Sequence, residues 1–210
     1  RPQALLTGPL NVEAMSSTDD LIDTLENHDR ANKAFGRTLI RPTWRPDKAM
    51  KIFAPGWRDY IGQVEKRFDM KIETLSDLLD ATKKSHDFFA EHGCRASDHG
   101  IEYPVRADYR FEDADAAFRK ALSGKELTQE ETDCYMGTFL AEAAALNAET
   151  GWVTQLHIGA VRDVRKTLFD ALGPDVGGDV SSHFIDYTRP LATLLNRFDG
   201  KLKVVLYCMD

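Results

Sequence analysis

Positive charge is in short supply in this 210-residue chain: 27 Lys and Arg stand against 34 Asp and Glu, a net charge of −7. That balance argues against a nucleic-acid groove, because neutralising phosphates needs clustered Lys and Arg. Long apolar runs are missing too. No stretch approaches the roughly 18 apolar residues of a membrane-spanning helix, so no membrane association is expected. Cysteine is rare, and Cys94, Cys134 and Cys208 are odd in number and far apart, which gives neither a disulfide framework nor a zinc cluster. No Gly-x-Gly-x-x-Gly or phosphate-loop pattern follows an apolar run, which removes the usual evidence for nucleotide binding. Without a Gly-x-Ser-x-Gly elbow, a serine-triad hydrolase has no support. Internal repeats and low-complexity segments are absent. The N-terminus shows no basic segment followed by an apolar one, so a cytoplasmic setting is the expectation.

What is present is an ordinary globular composition, 42% hydrophobic and 29% charged. The length suits one domain with a sizeable core. The chain opens at Arg1 without a Met and stops at Asp210 directly after the apolar run 202–208. Both ends are therefore expected to be cuts in a longer protein.

Short apolar runs alternate with longer helical patterns. Strands are expected at 11–18, 37–43 (halted by Pro42 and Pro46), 93–98, 152–159 and 202–208. Helices are expected at 21–35 (capped by Asp19 and Asp20, ended by Gly36), 58–70 and 74–92 (ended by Gly93). Further helices are expected at 112–122 and 128–149, the second opening on a Thr128/Glu131 capping box, and at 163–172 and 181–198. The charge-rich segment 106–131 reads as a solvated helical excursion. Strands alternating with helices predict an α/β fold with a parallel sheet, either an open doubly wound sheet or part of a barrel. The barrel is favoured because chemically able residues recur at the C-terminal ends of successive strands: Thr18-Asp19, Thr43-Trp44-Arg45, Ser97-Asp98-His99 and His157.

Three constellations carry chemistry. In RPTWRPD (41–47) two prolines fix the backbone around Arg45, whose guanidinium suits a bidentate grip on a carboxylate; the bland alternative pairs Arg45 with Asp47. In SDHG (97–100) adjacent strand residues point to opposite faces, so only one of Asp98 and His99 enters the interior. Asp98 is the functional choice there and His99 the structural one. In QLHIG (155–159) His157 sits in an apolar strand, where burial demands a hydrogen bond or a metal. His28, His86, His92 and His183 read as surface residues, and Cys94 and Cys208 as small hydrophobes in apolar strands.

With RPTWRPDKA (41–49), HDFFAEHGCRASDHG (86–100) and TQLHIGAVRD (154–163) in this order, the chain resembles the uronate (glucuronate) isomerase family of the amidohydrolase superfamily. The likeness extends through NVEAMSSTDD (11–20), LGPDVGGD (172–179) and LKVVLYC (202–208). It implies that residues 1–210 are the central part of one metal-dependent (β/α)8 TIM-type barrel, here about five strands, with a helical excursion at about 106–150. It also implies aldose–ketose interconversion of D-glucuronate with D-fructuronate, and of D-galacturonate with D-tagaturonate. Arg45 matches the family's substrate-binding arginine. Asp98 and His157 match its catalytic positions, with His157 also the candidate metal ligand. The implied cofactor is a divalent metal, zinc first, and the implied partner a small uronic acid, with a homo-oligomer allowed. The family's early His-x-His pair and the Asp and Arg of its last strand are not in this sequence. Two alternatives stay open: a non-catalytic fragment or degenerate relative, and another metal-dependent hydrolase or decarboxylase of the superfamily.

Overall fold

The computed structural model describes residues 2–36, 38–174, 176–181 and 184–208. In chain order these form α1 (Pro2–Thr7), β1 (Ala14–Ser16), β2 (Asp19–Asp20), α2 (Glu26–Phe35), β3 (Leu39–Arg41), β4 (Trp44–Arg45), α3 (Asp47–Met50), α4 (Trp57–Phe68) and α5 (Leu75–Glu91). There follow β5 (Ala96–Ile101), α6 (Phe111–Leu122), α7 (Gln129–Thr150), β6 (Val153–Ile158), β7 (Ala160–Val161), α8 (Lys166–Leu172), β8 (Val180–Ser181), α9 (Thr188–Arg197) and β9 (Lys203–Cys208). The main sheet runs β2-β4-β5-β6-β9, parallel throughout and in chain order. This is the parallel α/β arrangement read from the alternating pattern.

The two longest central helices begin on complete capping boxes, Thr74 with Asp77 and Thr128 with Glu131. Each places a hydroxyl and a carboxylate on amide N–H groups that the first turn leaves free. α7 ends at Gly151 with φ 72°, and Gly93, at φ 83°, turns the chain from α5 into β5. α7 is the central helix, buried along most of its length through Tyr135, Phe139, Leu140, Ala144 and Asn147. Gly137 is required there, because a Cβ would stand 1.8 Å from the Arg106 carbonyl oxygen.

Several expectations need correction. The strands read at 11–18 and 37–43 are each divided: β1 pairs with β3, whereas β2 and β4 enter the main sheet. Pro42 has no N–H to donate, so the ladder breaks beside it and resumes where Asp19 N donates to the Thr43 carbonyl at 2.9 Å. Arg37, the expected first residue of the second strand, lies outside the described residues. The first long helix starts at Glu26 rather than 21. Asp20 and Asp23 side chains take the N–H groups of Ile22 and Leu25, a local turn that competes with helix. Leu21 and Leu25 serve the core from that turn.

The segment 106–131 is not a solvated excursion. Its helix α6 turns Ala114, Ala117, Phe118 and Ala121 inward, and Trp57 meets Phe118 edge-on at 5.5 Å. His86, expected on the surface, is fully buried, whereas Cys208, read as a small hydrophobe of an apolar strand, is exposed. Cys94 is buried as expected, and burial pushes its thiol up to about 11. His28 and His92 are half-buried, and His183 lies outside the described residues. Among the described residues no helix is long and apolar enough to cross a membrane.

Candidate active site

Strand alternation builds the site. In β4 Trp44 points to the helix-covered face, where it is fully buried and its indole N–H donates to Ser85 Oγ at 3.0 Å. Its neighbour Arg45 must then project from the opposite face. In β5 Ser97 and His99 take the helix side and Asp98 the Arg45 side. In β6 Thr154 and Leu156 are buried, while Gln155 and His157 are half-buried. Trp44 is level with Ser97 and Asp98 with Gln155, so the parallel registers bring Arg45, Asp98 and His157 to one end of three neighbouring strands.

The three side chains meet. Arg45 Nη2 lies 2.7 Å from Asp98 Oδ2, and His157 Nε2 lies 2.7 Å from Asp98 Oδ1. The second contact is close but off the line of a hydrogen bond, which leaves Oδ1 without one. Thr18 at the end of the first strand region donates to Asp98 Oδ2 at 3.2 Å. The carboxylate is thus buried between a guanidinium and an imidazole, a charge-assisted arrangement. The imidazole stacks flat on Tyr207 of β9, 4.4 Å between ring centres, and Tyr207 OH donates to Gln155 Oε1 at 2.9 Å. Arg45 Nε is buried without a hydrogen bond. Asp98 thus takes one corner of the guanidinium, and the Arg45 side chain stays about one-third exposed, at 32%.

Asp47, in the first turn of α3, stands beside this group. Its Oδ2 accepts the Gly100 N–H at 2.8 Å and lies 3.8 Å from Arg45 Nε and 3.7 Å from Lys51 Nζ. Burial alone would raise this carboxyl, but His99, Lys51 and the Gly100 N–H outweigh it and hold it below the ordinary carboxylate range. A cavity of about 290 Å³ opens next to His157, lined by Lys51, Phe53, Tyr103, Met136 and Arg162 among others. A larger hollow of about 1010 Å³ lies beside α4 and α6 and is lined by none of Arg45, Asp47, Asp98 and His157. Depth alone does not mark the chemistry here.

A family model described as glucuronate isomerase matches residues 1–210. The chain belongs to this family. The uronate isomerase of Thermotoga maritima is 46% identical over 209 residues, which cover 100% of this chain and 46% of that protein. The uronate isomerase of Cellvibrio japonicus is 39% identical over 207 residues, covering 95% of this chain and 43% of that protein. The crystal structure of the Thermotoga maritima uronate isomerase superposes with a TM-score of 0.95 at 46% identity, again over 100% of this chain and 46% of that one. The glucuronate isomerase structure from Caulobacter crescentus shares the fold, with a TM-score of 0.89 at 24% identity, over 100% of this chain and 44% of that one. The chain spans about half the length of the curated relatives it matches.

Within this family, the metal expected on His157 meets an incomplete donor set. Among the described residues no three His, Cys, Asp or Glu side chains gather where an ion could be held. His157 and Asp98 are the donors that converge, and Asp98 Oδ2 is already committed to Arg45. A catalytic zinc takes three protein ligands and an open position, which these residues do not supply on their own. Arg45, Asp98 and His157, the three candidates of the sequence, are brought together by the fold. Sequence alone offers Asp47 only as the bland partner of Arg45 and passes over Tyr207, whose place beside His157 depends on β6–β9 pairing.

Proposed function

We propose that this chain forms the substrate-binding half of a uronate isomerase, with its sheet as part of a (β/α)8 barrel and its site at the C-terminal ends of the strands. The reading rests on one observation: Arg45, Asp98 and His157 converge at the ends of three adjacent parallel strands, with one side of the guanidinium open. The substrate is a small uronic acid. Arg45 grips its carboxylate and holds the sugar in the site through substrate and transition state alike. Isomerisation then moves a proton from C2 to C1 through an enediol, while the hydroxyl proton shifts between the two oxygens. Asp98 and His157 are the groups able to carry these protons. A divalent metal enters the proposal for the full-length enzyme alone, with its remaining ligands outside these residues, and no step here runs through it. A cytoplasmic setting fits the same reading.

The test is glucuronate isomerisation by a full-length enzyme containing this chain. Arg45→Ala is expected to raise KM about tenfold or more with a smaller change in kcat, because a carboxylate grip acts on substrate and transition state alike. His157→Ala is expected to lower kcat by roughly 100-fold or more, the scale of a lost proton-transfer group. Unchanged kcat/KM in both variants would remove the assigned roles. Turnover of esters or lactones without isomerisation of uronates would favour the hydrolase alternative.

A further inference from the structure

Behind the site, on the helix-covered face of the sheet, lies a run of buried polar side chains that the isomerase reading does not use. His86, on α5, is stacked on Trp152 with ring centres 3.9 Å apart, and its Nε2 lies 3.3 Å from Asn147 Oδ1. Asn147 Nδ2 donates to both Ser97 Oγ at 2.7 Å and Thr154 Oγ1 at 2.8 Å. Ser97 Oγ lies 2.8 Å from His99 Nε2, and His99 Nδ1 faces Asp47 Oδ1 at 3.4 Å. Neither of those last two atoms has a hydrogen-bond partner, so the two face each other as a close polar contact. His86, Ser97, His99, Asn147 and Thr154 are all fully buried.

The proton count along this run fixes its direction. A carboxylate can only accept, so the His99 nitrogen turned to Asp47 carries the hydrogen. His99 Nε2 is then the acceptor for the Ser97 hydroxyl, whose oxygen in turn receives the Asn147 amide. The run ends on Asp47, and at its other end His86 Nδ1 is buried without a hydrogen-bond partner. Asp47 itself reaches the site at two points: the Gly100 N–H, at the end of the Asp98 strand, and Arg45 Nε.

We infer that Asp47, held from behind by His99, is a positioning residue that fixes the Arg45 guanidinium against Asp98 for its grip on the substrate carboxylate. The inference rests on the isomerase reading and deepens it: Asp47 touches no substrate and acts through Arg45. Without that support the guanidinium is free to leave its place beside Asp98 and its grip on the carboxylate loosens, so the effect is read in KM.

The experiment is a double-substitution cycle in the full-length enzyme, with D-glucuronate as substrate. Asp47→Asn keeps the shape and removes the charge. It is expected to raise KM about tenfold while kcat changes less than about threefold, the signature of weakened uniform binding. In an Arg45→Ala background the same substitution is expected to leave KM unchanged, because its target is gone. Equal effects in the two backgrounds would overturn the inference, as would a fall in melting temperature with KM unmoved. If Asp47→Asn does not fold, His99→Gln is measured in the same two backgrounds. A smaller rise in KM that vanishes without Arg45 supports the inference, and no rise overturns it. Absence of turnover in the unsubstituted enzyme would instead overturn the isomerase reading itself.

Discussion

β6 is paired on both sides over registers of equal length, six residues to β5 and six to β9, yet its two neighbours live in different surroundings. β5 buries Ser97, Asp98, His99 and Ile101. β9 leaves Val205, Leu206 and Tyr207 exposed at 40%, 43% and 44%. Backbone pairing is the same in both, so hydrogen bonding alone decides that a strand exists and not how firmly it is held. Firmness comes from what lies across the sheet. α9 reaches the core through Leu191 and Leu194, and Leu202 and Val204 at the base of β9 pack against it, while the rest of β9 faces water. The site straddles this boundary: Arg45 and Asp98 belong to the supported side, and His157 rests its ring on Tyr207 from the exposed one.

The contrast is sharpest at one cross-strand pair, Leu156 and Leu206. Leu156→Ala is expected to cost about 4 kcal/mol of unfolding free energy, because a fully buried leucine leaves both a lost transfer term and a cavity. Leu206→Ala is expected to cost less than about 0.5 kcal/mol, as for an exposed position. Comparable losses in denaturant unfolding would erase the distinction between the two sides.

A pH titration of stability probes the supported side. Burial drives His86 down to about 4 from an ordinary value of 6.5. Its neutral form is favoured in the fold, so its contribution is complete above pH 6.5 and declines as pH falls through that value toward 4. The loss reaches roughly 3 kcal/mol, counting about 1.4 kcal/mol per pH unit. His86→Phe, which keeps a ring against Trp152, should flatten that part of the curve; a slope that persists would place its origin elsewhere. The smallest thermodynamic effect is expected from Leu206→Lys, which should leave the unfolding midpoint nearly unchanged. Light scattering of the purified chain should nonetheless fall, since a charge on an exposed strand discourages edge-to-edge pairing.

Much of the supported side was legible in the sequence, because its signals are local. Capping boxes at Thr74 and Thr128 and glycines after α5 and α7 mark helix limits within a few residues. Strand alternation around Trp44-Arg45 and Ser97-Asp98-His99 separates inward from outward side chains without knowledge of any partner. The burial of His86 also had a signal. It falls four residues after Thr82 and three before Phe89, on the helical stripe that turns inward, although a histidine by itself does not signal a core position. Other features had no local sign. Nothing in NVEAMSSTDD announces that one apolar run serves two sheets, since that follows from which strand lies beside it. Asp47 reads as a helix-start acid next to an arginine, and its link to His99 crosses 52 residues of sequence. Exposure of Cys208 depends on what stands opposite β9, which no residue of β9 encodes.

The order of strands in the main sheet has a consequence in time. Because β2, β4, β5, β6 and β9 lie side by side in the order in which they are synthesised, each new strand docks on one already in place. Parallel sheets otherwise assemble slowly, since every pairing closes a long loop. Here the loops are closed one at a time, each over a helix that folds on its own faster clock. On this route the Arg45–Asp98 pair is complete once β5 docks, long before His157 and Tyr207 leave the exit tunnel.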